Sequence, residues 1–93
     1  MTLKNFQQTL VECDEIEFSY AGVQYNFQKE TAAEGLKISI WRGGDKKPCY
    51  CVEIKNDLSA LKQTARNLID AKILFDNKSI AEAEKDIDVE FFT

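Results

Sequence analysis

Few side chains in this chain could do chemistry, and their spacing limits what that chemistry is. Cys49 and Cys51 stand two residues apart, and Trp41 and Arg42 lie just upstream. Glu82, Glu84, Asp86, Asp88 and Glu90 fall at every second position near the other end. A Cys-x-Cys pair can hold a soft metal, but a structural zinc site needs four ligands. The chain has no histidine and only Cys13 besides the pair, so thiolates and imidazoles cannot complete such a site. Lys46 and Lys47 could lower a neighbouring thiol pKa, yet no base is in sight to activate it. A calcium loop needs a turn glycine among its acids, and 82–90 has none. Arg42-Gly43-Gly44-Asp45-Lys46-Lys47 lacks the spacing of a phosphate-binding loop and reads as a basic hairpin tip.

Two readings stay open for the acids. They form a solvated charged edge that protects a strand from aggregation, or they imitate a run of phosphates for a basic groove on another protein. Two also stay open for Trp41: a core residue at a strand end, or an exposed anchor of the kind that dominates interface hot spots.

Composition narrows the field. The 93 residues are 44 % hydrophobic and 11 % aromatic, enough for the core of a single domain, 1–93. The absence of histidine removes the commonest general base and nucleophile activator, so no enzymatic activity and no cofactor are expected. The net charge of −4 disfavours binding to a nucleic acid backbone. Charge is unevenly spread: Glu12, Asp14, Glu15 and Glu17 precede a basic middle of Lys37, Arg42, Lys46, Lys47 and Lys55, and the acids of 82–90 follow. No apolar run approaches bilayer length and the N-terminus has no signal-peptide core, so a cytoplasmic protein with free thiols and no membrane contact is expected.

The elements that must position these residues are legible in the alternation. Leu3, Phe6 and Leu10 predict a helix over 2–12, capped by Thr2. Ile16, Phe18 and Tyr20, then Val23, Tyr25 and Phe27, predict a hairpin about Ala21-Gly22, with Tyr20 opposite Val23, Phe18 opposite Tyr25 and Ile16 opposite Phe27. Residues 29–35 are polar and predict a mobile connector too long for a tight turn. Strands are expected over 36–41 and 49–55, forming a second hairpin, with Cys49 and Cys51 on the face that carries Lys37, Ser39 and Trp41. A helix capped by Asn56 or Asp57 follows, with Leu58, Leu61, Ala65, Leu68 and Ile69 as its apolar stripe, ending within 72–75. Asp76-Asn77-Lys78 predicts a turn. Ser79 and Glu82 form a capping-box pattern that starts a short helix. Ile87, Val89 and Phe91 alternate with Asp88 and Glu90 as a terminal strand. The order α-β-β-β-β-α-α-β predicts an α+β fold: an antiparallel sheet of four to five strands with helices packed on one face.

The short helix, the acidic hairpin from Glu15 to Tyr25, and the tail Asp70-Ala71-Lys72-Ile73 through Asp76 to Ala83 resemble a broad group of small uncharacterised proteins from Gram-positive bacteria and their mobile elements. The resemblance implies the same fold and a mobile-element context, and it carries no catalytic residue. That group's hairpin usually turns on Asn-Gly, and Ala21 here implies a different turn geometry.

The resulting expectation is a small acidic protein-binding module, a phage- or mobile-element-encoded inhibitor of a nucleic-acid-handling defence enzyme, comparable to an anti-CRISPR protein. Glu82, Glu84, Asp86, Asp88 and Glu90 would meet basic residues of that partner, and Trp41 and Arg42 would anchor the contact. The alternative is a small-molecule or redox-responsive homodimer centred on Cys49, Cys51 and Trp41.

Overall fold

Alternation with a period of two writes most of this fold. The computed structural model describes residues 3–72, 75 and 77–93, with side chains from Gln7 onward. The expected cap Thr2, the side chains of Leu3 and Phe6, and Ile73 and Asp76 of the connecting segment lie outside the described residues. The elements run α1 (Leu3–Glu12), β1 (Glu15–Tyr20), β2 (Val23–Ala32), β3 (Gly35–Arg42), β4 (Tyr50–Ile54), α2 (Leu58–Asp70), α3 (Ile80–Ala83), a 3-10 turn (Glu84–Asp86) and β5 (Ile87–Phe92). The strands form one antiparallel sheet in the order β4-β3-β2-β1-β5. This is the α+β architecture and element order read from the sequence.

One face of the sheet is apolar. Ile16, Phe18, Tyr25, Phe27, Leu36, Ile38 and Ile40 are buried, and Leu10 of α1, Leu61, Ala65, Leu68 and Ile69 of α2 and Ile80 and Ala83 of α3 pack in the same cluster. An aromatic knot sits within it. Phe18 stacks on Tyr25 with ring centroids 5.3 Å apart, and Phe75 meets Tyr25 edge-on at 5.2 Å and stacks on Tyr20 at 4.3 Å. Phe75 thereby ties the α2–α3 connection to the sheet, a contribution beyond its buried area.

Lys29 faces inward on β2 and is almost wholly covered. Its Nζ donates to the Val11 carbonyl at 2.7 Å, with the Asp14 carboxylate at 3.9 Å. A cation at the C-terminus of α1 satisfies a carbonyl that the helix leaves open and complements its dipole. Asp57 caps α2 by accepting from the Ala60 N–H at 2.7 Å, and Ser79 and Glu82 form the expected capping box at the start of α3. Thr64, buried on α2, donates its hydroxyl to the Ala60 carbonyl at 2.9 Å.

The first hairpin has the expected pairs. Five expectations need correction. The supposed connector 29–35 is strand and turn: Lys29, Glu30, Thr31 and Ala32 pair with Ile38, Lys37, Leu36 and Gly35. Cross-strand contacts, including Glu30 opposite Lys37, outweigh the polar composition. Ala21 and Gly22 both have positive φ, 52° and 80°, so Ala21 adopts the left-handed turn that Asn-Gly would favour, not a different geometry. Helix α2 ends at Asp70, short of 72–75, and Leu58 is 58 % exposed, outside the buried stripe. In β5 the register shifts between Glu17 and Phe18: Val89 lies opposite Phe18 and Phe91 opposite Glu17. Glu90 is the extra residue of a β-bulge, and Phe91 falls out of phase with Ile87 and Val89.

Two turn positions give opposite expectations. Ala21→Asn relieves a left-handed alanine and should stabilise the fold by about 0.5–1 kcal/mol. A Cβ at Gly35 would collide with the Ile54 carbonyl, backbone that cannot move freely, so Gly35→Ala should cost about 1–3 kcal/mol. Urea denaturation of the two variants measures both signs.

Candidate functional site

Because the strands alternate, with the phase of β5 shifted at its bulge, the residues out of phase with the core share the opposite face of the sheet. The helices pack against the Phe27 and Ile38 side, where Leu10, Leu61, Thr64, Ala65 and Leu68 surround a small apolar gap. The other face carries Glu15, Glu17 and Ser19 of β1, and Gln24, Asn26, Gln28 and Glu30 of β2. Lys37, Ser39 and Trp41 of β3, Cys51 and Glu53 of β4, and Asp88, Glu90 and Phe91 of β5 complete it.

Charge on this face is one-sided. The outward positions of β1, β2 and β5 supply carboxylates and no lysine or arginine. Lys37 stands in β3 between Glu30 and Glu53 on its two neighbouring strands. A single row crosses four strands: Trp41, Asn26, Glu17 and Phe91. Trp41 is half-buried, with its indole Nε1 donating to the Ser39 hydroxyl at 3.3 Å. Asn26 donates its amide nitrogen to Glu15 at 3.4 Å, and its buried Oδ1 has no hydrogen-bond partner. Gln24 donates to the Glu90 carboxylate at 2.8 Å across β1. Phe91 is 48 % exposed and Phe92 56 %.

The structure joins some of the residues singled out from the sequence and separates others. Trp41, Asp88 and Glu90 share the open face. Arg42 does not stand with Trp41. It lies one residue on, opposite Tyr25, and its Nε donates to Asp45 Oδ2 at 3.1 Å, closing the β3–β4 turn. That bond pushes the guanidinium pKa up. Glu82 is occupied by the capping box and by Lys72 at 3.4 Å; the Ser79 backbone N–H it accepts, with Lys72, holds its carboxyl below the usual range. Glu84 and Asp86 lie in the 3-10 turn ahead of β5. The face also recruits residues not singled out from the sequence as a site: Glu15, Glu17, Asn26 and Phe91. The alternation of Glu15 and Glu17 against Ile16 and Phe18 was the available signal. The bulge that turns Phe91 outward left none.

The cysteines are not equivalent. Cys51 is exposed on the open face beside Ser39. Cys49 precedes β4, so it does not share the strand face as expected. Its thiol donates to the Ile40 carbonyl at 3.2 Å, and burial pushes its pKa up. A raised pKa keeps the thiol protonated and poorly nucleophilic. Among the described residues, no cluster of carboxylates and thiolates is arranged to hold a metal ion. No helix among them is long and apolar enough to cross a membrane.

No family model matches the chain, and no curated protein or solved structure is similar to it.

The thiols predict an alkaline instability. Burial raises the folded-state pKa of Cys49 and of Cys13, so the unfolded chain releases these protons first. The stability they confer should be whole below the ordinary thiol range and drain away as pH climbs through that range and above it. Tyr50, raised by burial and by Cys51, extends the loss upward. Urea midpoints across that range should fall, and Cys49→Ala should flatten the slope. An alkylating probe at neutral pH should label Cys51 well before Cys49.

Proposed function

We propose that this chain is a protein-binding module without catalysis of its own, which acts in the cytoplasm as an inhibitor of a nucleic-acid-handling defence enzyme. The observation that carries this reading is the string of acids from Glu84 through Asp86 and Asp88 to Glu90. It runs from the 3-10 turn onto edge strand β5 with only Lys85 among its neighbours to offset it. Such an edge discourages pairing with a second copy through like-charge repulsion, and favours a surface of opposite sign. Grooves that hold nucleic acid are lined with lysine and arginine, so a chain presenting carboxylates there competes with phosphate. The extension to an anti-CRISPR-like role encoded by a phage or mobile element rests only on the resemblance read in the sequence of the hairpin and tail, which no family model or curated protein supports.

The test uses purified RNA-guided nuclease effectors, with cleavage and nucleic acid binding measured with and without the protein. The expected result is inhibition that competes with nucleic acid and weakens as salt is raised. The triple variant Asp86→Lys, Asp88→Lys, Glu90→Lys should be at least about tenfold less potent, with an unchanged thermal midpoint. Equal potency of that variant, or no effect on any effector, would overturn the proposal.

A further inference from the structure

We infer that the open face of the sheet is a seat for a lysine- or arginine-rich segment of a partner protein, with one of its cations held in the row of Trp41, Asn26 and Glu17. This deepens the protein-binding reading and rests on it, but centres the contact on the open face, which shares only Asp88 and Glu90 with the acidic string of 84–90.

Three independent features converge on that row. The first is charge: Glu15 and Glu17 on β1 and Asp88 and Glu90 on β5 surround it, and no lysine or arginine projects from the outward positions of β1, β2 or β5. The second is the indole of Trp41, directly opposite Asn26, which offers a π-face to a cation. The third is Asn26 itself. Its amide nitrogen is turned to Glu15, and its buried Oδ1 lacks a donor. A buried acceptor left unpaired is costly, and an ammonium or guanidinium brings N–H groups and no acceptor. The oxygen is covered, so the donor reaches it as the neighbouring side chains part, and the indole environment changes with that step. Phe91, exposed on the same row beside Glu17, extends the apolar wall against which the aliphatic stem of a lysine or arginine can lie.

The same charges exclude the competing occupants. A second copy would set carboxylates against carboxylates, and a phosphate backbone would meet the same repulsion. An extended basic segment suits the sheet because its alternate side chains project to one side.

Trp41 is the only tryptophan, so its fluorescence reports on this row alone. The probe is a short peptide alternating lysine and threonine, with a glutamate–threonine peptide as its counterpart. The expected result is a saturable change in Trp41 emission with the lysine peptide alone, largely abolished in roughly 0.5 M salt. Affinity should fall at least about tenfold in Glu15→Lys/Glu17→Lys and be unchanged in Asp70→Lys, on the exposed side of α2. Asn26→Asp, which adds a carboxylate at the row, should tighten binding and so guards against a reversal variant that fails to fold. No saturable change with the lysine peptide, equal affinity in the double reversal, or binding of the glutamate peptide would overturn the inference. A protein that inhibits an effector while Trp41 stays blind to the peptide would overturn the seat and leave the inhibitor reading standing. Peptide capture without inhibition of any effector would do the reverse.

Discussion

The packing of Phe18 against Tyr25, closed by Phe75, is the constraint on which the rest depends. Those two rings lie opposite each other across β1 and β2 and stack nearly parallel, at 9°. Their burial fixes the hairpin register, because a slip of one residue would carry Ile16, Phe18, Tyr25 and Phe27 into water and bring Glu17 and Asn26 inward. Phe75 arrives from the α2–α3 connection and meets the Phe18 and Tyr25 rings edge-on, tying that connection to the sheet. Once the register is fixed, β3 inherits it through hydrogen bonding to β2, and β5 inherits it from β1 as far as Val89, where a bulge shifts the phase.

That second face has to solve a problem of its own. A sheet covered on one side and bounded by free edges invites stacking and edge-to-edge pairing. Here the open side is charged mostly with one sign, with Lys37 the exception, and both edge strands carry exposed acids, Glu53 on β4 and Asp88 and Glu90 on β5. The carboxylates that keep copies of the molecule apart are the groups that a basic partner would recognise. Solubility and docking are served by the same side chains, so the acids alone do not mark a site. The aromatic pair Trp41 and Phe91 and the unsatisfied Asn26 oxygen are what the proposed seat adds, because repulsion between copies requires none of them.

How much of this was legible in the sequence depended on whether a signal was local. The pairing of the first hairpin was readable, though not its turn geometry, since six apolar residues alternate about a glycine turn and each partner is only a few positions away. The capping box at Ser79 and Glu82 was readable for the same reason. The stretch 29–35 was not, because its polar residues become strand only by pairing with β3, and composition is a weak guide where cross-strand partners supply the energy. Lys29 is the sharpest case. A lysine in a polar run reads as solvent-facing, yet it is buried under α1 as the cap of a helix that ends well before it in sequence. Trp41, Asp88 and Glu90 lie together on the open face, a placement that their phase in the sequence makes legible. Arg42 was grouped with Trp41 by adjacency, although adjacent residues in a strand point to opposite faces, and Asp45 claims it.

The bulge at Glu90 ties the fold to the open face. Without it, strict alternation would send Phe91 toward the helices with Ile87 and Val89, and Phe92 outward. With one residue inserted, Phe92 pairs with Ile16 and Phe91 with Glu17, so the outward row gains an aromatic ring at the end opposite Trp41. The displaced Glu90 is then free of the ladder and reaches Gln24 on β2 over the intervening strand. Bulges bend and twist the strand that carries them and re-aim side chains. At the edge of this sheet that local irregularity costs little core, because Ile87 stays buried and Val89 partly so. The face used for folding and the open face are therefore separable. Charge can be rewritten on one with little penalty to the other, provided the phase that the bulge establishes is kept.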